Sequence, residues 1–320
     1  MSRYELFDRS RIELADLSAR GHDLTAAQCW PLQPPAEPYA HPEFSDLVSR
    51  ILAARKQGRP VILMMGAHPI KLGLSRFLID LIERRLITHL AANGAAVIHD
   101  FELAMVGGTS EDVAKWIQRG QFGLWRETGR LNDIIADAAA RGEGIGEAIG
   151  RVIVEEKFPY RELSLAAAGW RTGTPITSHV GIGCDIIHSF PNCDPAALGQ
   201  ASYTDFLIFA RGVEHLEGGV FLNLGSAVTG PEVYLKALSM ARNVARQRGE
   251  EIRHFTTAVF DLLPLGPDYR AGPPPKDQAL YYYRPWKTIL VRTVSDGGTS
   301  YYFAGDHRQT IPTLWHRLVQ

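Results

Sequence analysis

Pro60-Val61-Ile62-Leu63-Met64-Met65-Gly66-Ala67-His68-Pro69 decides the fold. A continuous apolar run stopped by glycine is the pattern of a strand covered on both faces of a parallel sheet, because neither side of it is left to water. Beyond Pro69, the residues Leu72, Leu74, Phe77, Leu78, Leu81 and Ile82 make the apolar face of a helix. Glu83-Arg84-Arg85 is its polar end, and Ile87 to Ala92 begins a second strand. The segment is therefore a β-α-β unit. Its loop, Gly66 to Pro69, lies between the carboxyl end of a strand and the amino end of a helix. Open α/β sheets hold their ligands there, and backbone amides and the helix dipole favour an anion.

Working outward, Phe44, Leu47, Val48, Ile51 and Leu52 recur at helical spacing and end at Gly58, so a helix precedes the first strand. Downstream, the small residues Asn93-Gly94-Ala95-Ala96 form a second loop of the same kind, leading into Val97-Ile98-His99-Asp100-Phe101-Glu102, which is read as strand-like. Thr109-Ser110-Glu111-Asp112 has the spacing of a capping box before a helix from Val113 to Gln118. Strand-like runs follow at Pro175 to Ser178, Gly219 to Leu224 and Thr256 to Phe260, with helical runs at Tyr203 to Ala210 and Glu232 to Arg246 between them. Thr288 to Thr293 and Ser300 to Ala304, around Asp296-Gly297-Gly298, read as a hairpin. Thr310-Ile311-Pro312 starts a closing helix. The alternation gives an α/β fold: a doubly wound, mostly parallel, Rossmann-like sheet. Residues 1–40, broken by Trp30-Pro31 and Pro34-Pro35, are read as an arm or cap, and residues 41–320 as a single α/β nucleotide-binding domain.

Lys and Arg total 34 against 35 Asp and Glu, a net charge of −1. Such a balance lacks the basic stripe of a nucleic-acid binder. No apolar stretch has the length of a membrane span, and the acidic, polar N-terminus has no signal-peptide pattern, so a cytoplasmic protein is expected. The three cysteines suggest neither a disulfide framework nor a zinc site.

Three features carry possible chemistry. His99, Asp100 and Glu102 stand where acids could accept hydrogen bonds from ribose hydroxyls; no pair of histidines has metal-motif spacing, so no metal is expected. Lys287 follows Tyr281-Tyr282-Tyr283-Arg284-Pro285-Trp286, and an aromatic wall can desolvate an amine toward imine chemistry, while a snorkelling surface lysine is the plainer alternative. Gly144-Ile145-Gly146 with Gly150 lacks a preceding strand and reads better as a helix start or packing contact than as a dinucleotide fingerprint.

Several segments in a common order resemble the deoxyhypusine synthase family. Gly66 to Gly73 is similar to the family's GCTSNLISSG, Thr88 to Asp100 to DVLVTTAGGVEED, Gly181 to Ile187 to DGSLGDMI, Glu217 to Val220 to GGGVV, and Asp306 to Pro312 to DASLVFP. The resemblance implies NAD lying across the strand ends of a homotetramer, and an enzyme lysine that carries an aminoalkyl group as an imine. It places Gly66, Ala67, His68, Asn93, Gly94, Asp185, Asp306 and His307 as cofactor-binding residues. Lys287, beside Trp286, is the imine lysine, with Asp100 and Glu102 as catalytic acids; these two and Asp185 are candidates to hold a cationic substrate. Leu222-Asn223-Leu224 replaces the family's KHH histidines. The expectation is therefore an NAD-dependent aminoalkyl (polyamine-type) transferase-like enzyme that does not form hypusine, with a catalytically inactive NAD or small-molecule binding module as the alternative.

Overall fold

The computed structural model describes residues 2–266 and 268–320. Six strands form one sheet: β1 (Val61–Met65), β2 (His89–Asn93), β3 (Ile176–His179), β4 (Val220–Leu224), β5 (Thr256–Asp261) and β6 (Thr299–Ala304). All pairings are parallel and the order across the sheet is β3-β2-β1-β4-β5-β6. This is the doubly wound dinucleotide-binding order, in which the winding reverses between β1 and β4.

The helices in chain order are α1 (Phe44–Lys56), α2 (His68–Lys71), α3 (Ser75–Glu83), α4 (Gly94–Val106), α5 (Val113–Ile117) and α6 (Arg130–Arg141). They continue with α7 (Ile145–Glu155), α8 (Leu165–Thr172), α9 (Pro195–Glu214), α10 (Thr229–Gln247) and α11 (His307–Val319). Alternate residues of each strand serve opposite faces. Val61, Leu63, Met65, Leu222 and Leu224 pack with α1, α3 and α11, whereas Ile62, Met64 and Phe221 pack with α9 and α10. Both sets are buried, which explains why β1 is apolar throughout rather than alternating.

Three sequence expectations give way. Val97 to Glu102 is not a strand but lies inside α4: the Asn93 side chain accepts from the Ala96 N–H at 3.0 Å, and Gly107, with φ +69°, ends the helix. The Thr288 to Thr293 run is not half of a hairpin. Trp286–Arg292 is a π-helix, in which the Thr293 N–H donates to the Thr288 carbonyl at 3.2 Å, and β6 joins the sheet as its parallel edge. A β-branched apolar run suits either element, and here Pro285 sets a helical start. The capping box also dissolves. Asp112 alone caps α5, through the Lys115 N–H, while Thr109 pairs with Leu24 in a two-residue ribbon.

The arm lies outside the main sheet but is not loose. Arg20 forms a buried ion pair with Glu102 at 2.7 Å, Leu17 packs with Trp116 and Trp125, and the Tyr39 N–H donates to the Thr313 hydroxyl at 2.8 Å. The arm is thus seated on its own chain.

Candidate active site

The sequence places small residues where the winding reverses. Gly66 follows β1 and Gly225 follows β4; the Gly66 N–H donates to the Leu224 carbonyl at 3.1 Å, and the Gly225 N–H to the Phe260 carbonyl at 3.0 Å. A Cβ on Gly66 would fall 3.0 Å from the Gly225 carbonyl oxygen. Gly225 has φ +62°, and a Cβ there would fall 2.7 Å from the His307 Nε2. Two backbones and an imidazole therefore meet at the mouth of the reversal, an approach open only to glycine. Beyond Gly66, the Ala67 and His68 amides have no protein acceptor among the described residues, and they lie at the start of α2.

His68 and His307 face one another over this mouth with ring centroids 6.4 Å apart. Burial lowers the pKa of His307 and His68 lowers it further, while Asp261 and Asp306 act the other way. Its Nδ1 is buried without a hydrogen-bond partner among the described residues. Asp306 caps α11, accepting from the Arg308 N–H at 2.8 Å, and is held below the usual carboxylate range by Arg308. Asp261, at the end of β5, accepts from the Tyr283 hydroxyl at 2.6 Å. Sequence reasoning passed over Asp261 and Gly225, and read Tyr283 only as part of the aromatic run before Lys287. The Gly-Ser pair after β4 was the available signal for Gly225, whereas the Tyr283 contact has none.

Next to this mouth, Asn93 and Gly94 open α4. The Asp185 carboxylate lies over them, so that a Cβ on Gly94 would fall 2.2 Å from its Oδ2. Burial raises the Asp185 pKa to about 6, with the Ala95 N–H acting against it. The Asp185 side chain therefore stands where a ligand phosphate was expected to meet the Gly94 amide.

Asp100 and Glu102 are both buried on α4 rather than presented at a strand end. The Asp100 carboxylate accepts from the Ser164 hydroxyl at 2.6 Å and from the Leu165 and Ala166 N–H groups at 2.7 and 3.2 Å, thereby capping α8. Burial nevertheless raises its pKa to about 6. Glu102 accepts from Arg20, Thr109 and Thr128. Burial alone would raise it, but those partners together leave it below its ordinary value. Both acids tie elements together.

Lys287 sits in the first turn of the π-helix and is 6% exposed. Its Nζ lies 4.0 Å from the centroid of the Tyr281 ring and 5.8 Å from that of Tyr282. The expected aromatic surroundings are present, in a helix rather than a strand. Gly144 and Gly146 start α7, and Cβ atoms on Gly146 and Gly150 would meet the Ile176 and Ala166 carbonyls, so that glycine set serves packing.

No protein-family model matches the chain, and no curated protein does either. Solved structures do share its fold. ArgZ, an arginine dihydrolase from the ornithine-ammonia cycle in cyanobacteria, aligns over 87% of this chain and 32% of its own, with TM-score 0.52 and 13% identity. AgrE, in a ternary complex with ornithine and NAD+, aligns over 86% of this chain and 32% of its own, with TM-score 0.52 and 15% identity. A conserved LOR/SDH-type protein from Methanococcus maripaludis S2 aligns over 90% of this chain and 73% of its own, with TM-score 0.50 and 14% identity. The chain spans about a third of the length of ArgZ and AgrE. At these identities the likeness shows the fold alone. A deoxyhypusine synthase-type protein from Entamoeba histolytica gives TM-score 0.40 at 9% identity, too slight to carry an argument.

Proposed function

We propose that this chain binds a nicotinamide dinucleotide at the reversal between β1 and β4 and acts on a small amine. The observation that carries the reading is the close meeting of Gly66, Gly225 and His307 at that point. It keeps Cβ atoms out of the turns after β1 and β4, so that backbone lies open there between the two imidazoles, as an approaching pyrophosphate needs. The residues fit the group: the Ala67 and His68 amides would take the pyrophosphate, and the buried His307 Nδ1, without a partner, is available to a polar ligand atom. AgrE, which shares this fold, is seen with ornithine and NAD+. When bound, the cofactor would accept hydride from the amine-bearing carbon. The chain's part is to bind and orient. His68 and His307 offer two imidazoles over the mouth, and burial keeps His307 neutral above its lowered pKa.

A finer reading adds aminoalkyl transfer through an imine on Lys287. It is favoured by the enclosure of that amine by Tyr281 and Tyr282 without a carboxylate partner among the described residues. The nitrogen rests on the Tyr281 ring face, so imine formation requires it to leave that face. The test is spectroscopic. Full-length protein with NAD and a panel of diamines and amino acids should give amine-dependent absorbance of reduced nicotinamide. Saturable NAD binding without any reduction would leave a binding module, and no NAD binding would end the reading.

A further inference from the structure

On the flank of the crevice, a cavity of about 220 Å³ opens between α4, α5 and the loop after β3. That is below the roughly 300–1,000 Å³ of drug-sized ligand sites, which restricts it to a small molecule. Some of its charged walls are already satisfied. The two terminal nitrogens of Arg20, whose side chain is 1% exposed, are committed to Glu102, its Nε having no partner among the described residues, and Glu111 accepts from the Trp125 Nε1 at 3.0 Å and the Gly123 N–H at 3.1 Å.

Three groups are not satisfied. The Asp185 side chain is 7% exposed, and its Oδ2 has no hydrogen-bond partner among the described residues, the His188 Nε2 standing 4.0 Å away, beyond hydrogen-bond range. The Lys71 ammonium has no carboxylate partner among the described residues, yet it lines the cavity and acts on His99. The third group is the His99 Nε2. The Thr109 hydroxyl donates its single proton to Glu102 at 2.7 Å, so toward the His99 Nδ1, 2.7 Å away, it can only accept. Nδ1 therefore carries the ring proton. Burial lowers the His99 pKa to about 4, with Glu102 opposing and Lys71 and Arg20 adding to the shift, so at neutral pH Nε2 is a bare acceptor without a protein partner among the described residues.

One unspent anion, one unspent cation and one acceptor are the complement of a zwitterion. We propose that this cavity binds a small α-amino acid, its ammonium between the Asp185 Oδ2 and the His99 Nε2 and its carboxylate on Lys71. Contact of Asp185 with Gly94 sets the cavity against the crevice. That the amino acid is the substrate rests on the dinucleotide reading; that it binds does not.

Calorimetric titration of the full-length protein, with and without NAD, tests this with L-ornithine, L-alanine, putrescine and propionate. An amino acid should bind saturably, and putrescine and propionate, each lacking one charge, at least about tenfold more weakly. Asp185→Asn and Lys71→Ala should each weaken the amino acid about tenfold or more. Asn mimics only the Nδ1 side of histidine, and Gln the Nε2 side. His99→Asn should therefore lose affinity that His99→Gln keeps. Failure of every L-amino acid to bind under both conditions, or wild-type affinity in all the variants, overturns the proposal. Amino-acid binding without NAD binding overturns the dinucleotide reading alone; the reverse overturns the pocket alone.

Discussion

The His307 imidazole is packed so closely on Gly225 that a Cβ added to this glycine would fall 2.7 Å from its Nε2. The first residue of the last helix and the first residue after β4 thus close one side of the crevice where the sheet reverses. Gly225→Ala must adopt a left-handed conformation, at about 1–2 kcal/mol, and must also push His307 aside. The expected outcome is a folded protein with a lower unfolding midpoint and NAD affinity reduced at least about tenfold. Unchanged affinity by titration would remove His307 and Gly225 from the site.

The Arg20–Glu102 pair fixes the arm to α4. Arg20→Met strands a buried carboxylate, and a loss of about 3–5 kcal/mol is expected by denaturant unfolding. Adding Glu102→Gln should recover much of that loss. The pH dependence follows from the direction of the shift: Glu102 lies below its ordinary 4.5 in the folded chain. The pair's contribution is therefore complete above that value and fades as pH falls through the depressed one. Equal stability of the single and double variants would contradict this coupling.

Asp205 behaves in the opposite sense. Burial raises it to about 8, although the Ser178, Gly146 and Ile145 N–H groups oppose that. The folded state holds the proton more tightly than the unfolded chain, whose ordinary value is 3.8. Its contribution is complete below 3.8 and is lost as pH rises from there through about 8. Asp205→Asn keeps an acceptor for those amides without the charge. It should flatten the decline in stability between pH 5 and 8, values that lie inside that window. A wild-type slope in the variant would refute the assignment.

Lys287 separates transfer from simple dehydrogenation. Lys287→Arg retains a cation over Tyr281 but cannot form an imine. If the finer reading holds, borohydride traps an adduct on the wild-type protein in the presence of NAD and an amine, and the variant gives none. Amine-dependent NAD reduction at the wild-type rate in Lys287→Arg would exclude the imine.

The sequence made the β1-α-β2 unit legible because β1 is an unbroken apolar run ending in glycine and the residues from Leu72 to Ile82 make an apolar helix face after it, and that unit predicts the Gly66 loop. It hid α4. Val97 to Glu102 mixes apolar and charged residues almost alternately, and the helix emerges only from Asn93 and Gly107 at its two ends. The π-helix was hidden for a related reason, since Thr288 to Thr293 is as good a strand in isolation. Of the site, the glycines and His68 could be read from their places at strand ends. The tautomer of His99 could not, because it depends on Thr109 and Glu102 meeting across a helix and a ribbon. Nor could the Asp261–Tyr283 contact, which joins a strand end to the segment before the π-helix.

A crystal structure of the full chain grown with NAD tests the central claim most directly. The account predicts the pyrophosphate within hydrogen-bond distance of the Ala67 and His68 amides, between Gly66 and Gly225. NAD lodged instead in the groove at the opposite rim of the sheet, between Pro60, His89 and His215, or a bare crevice at saturating NAD, would contradict it.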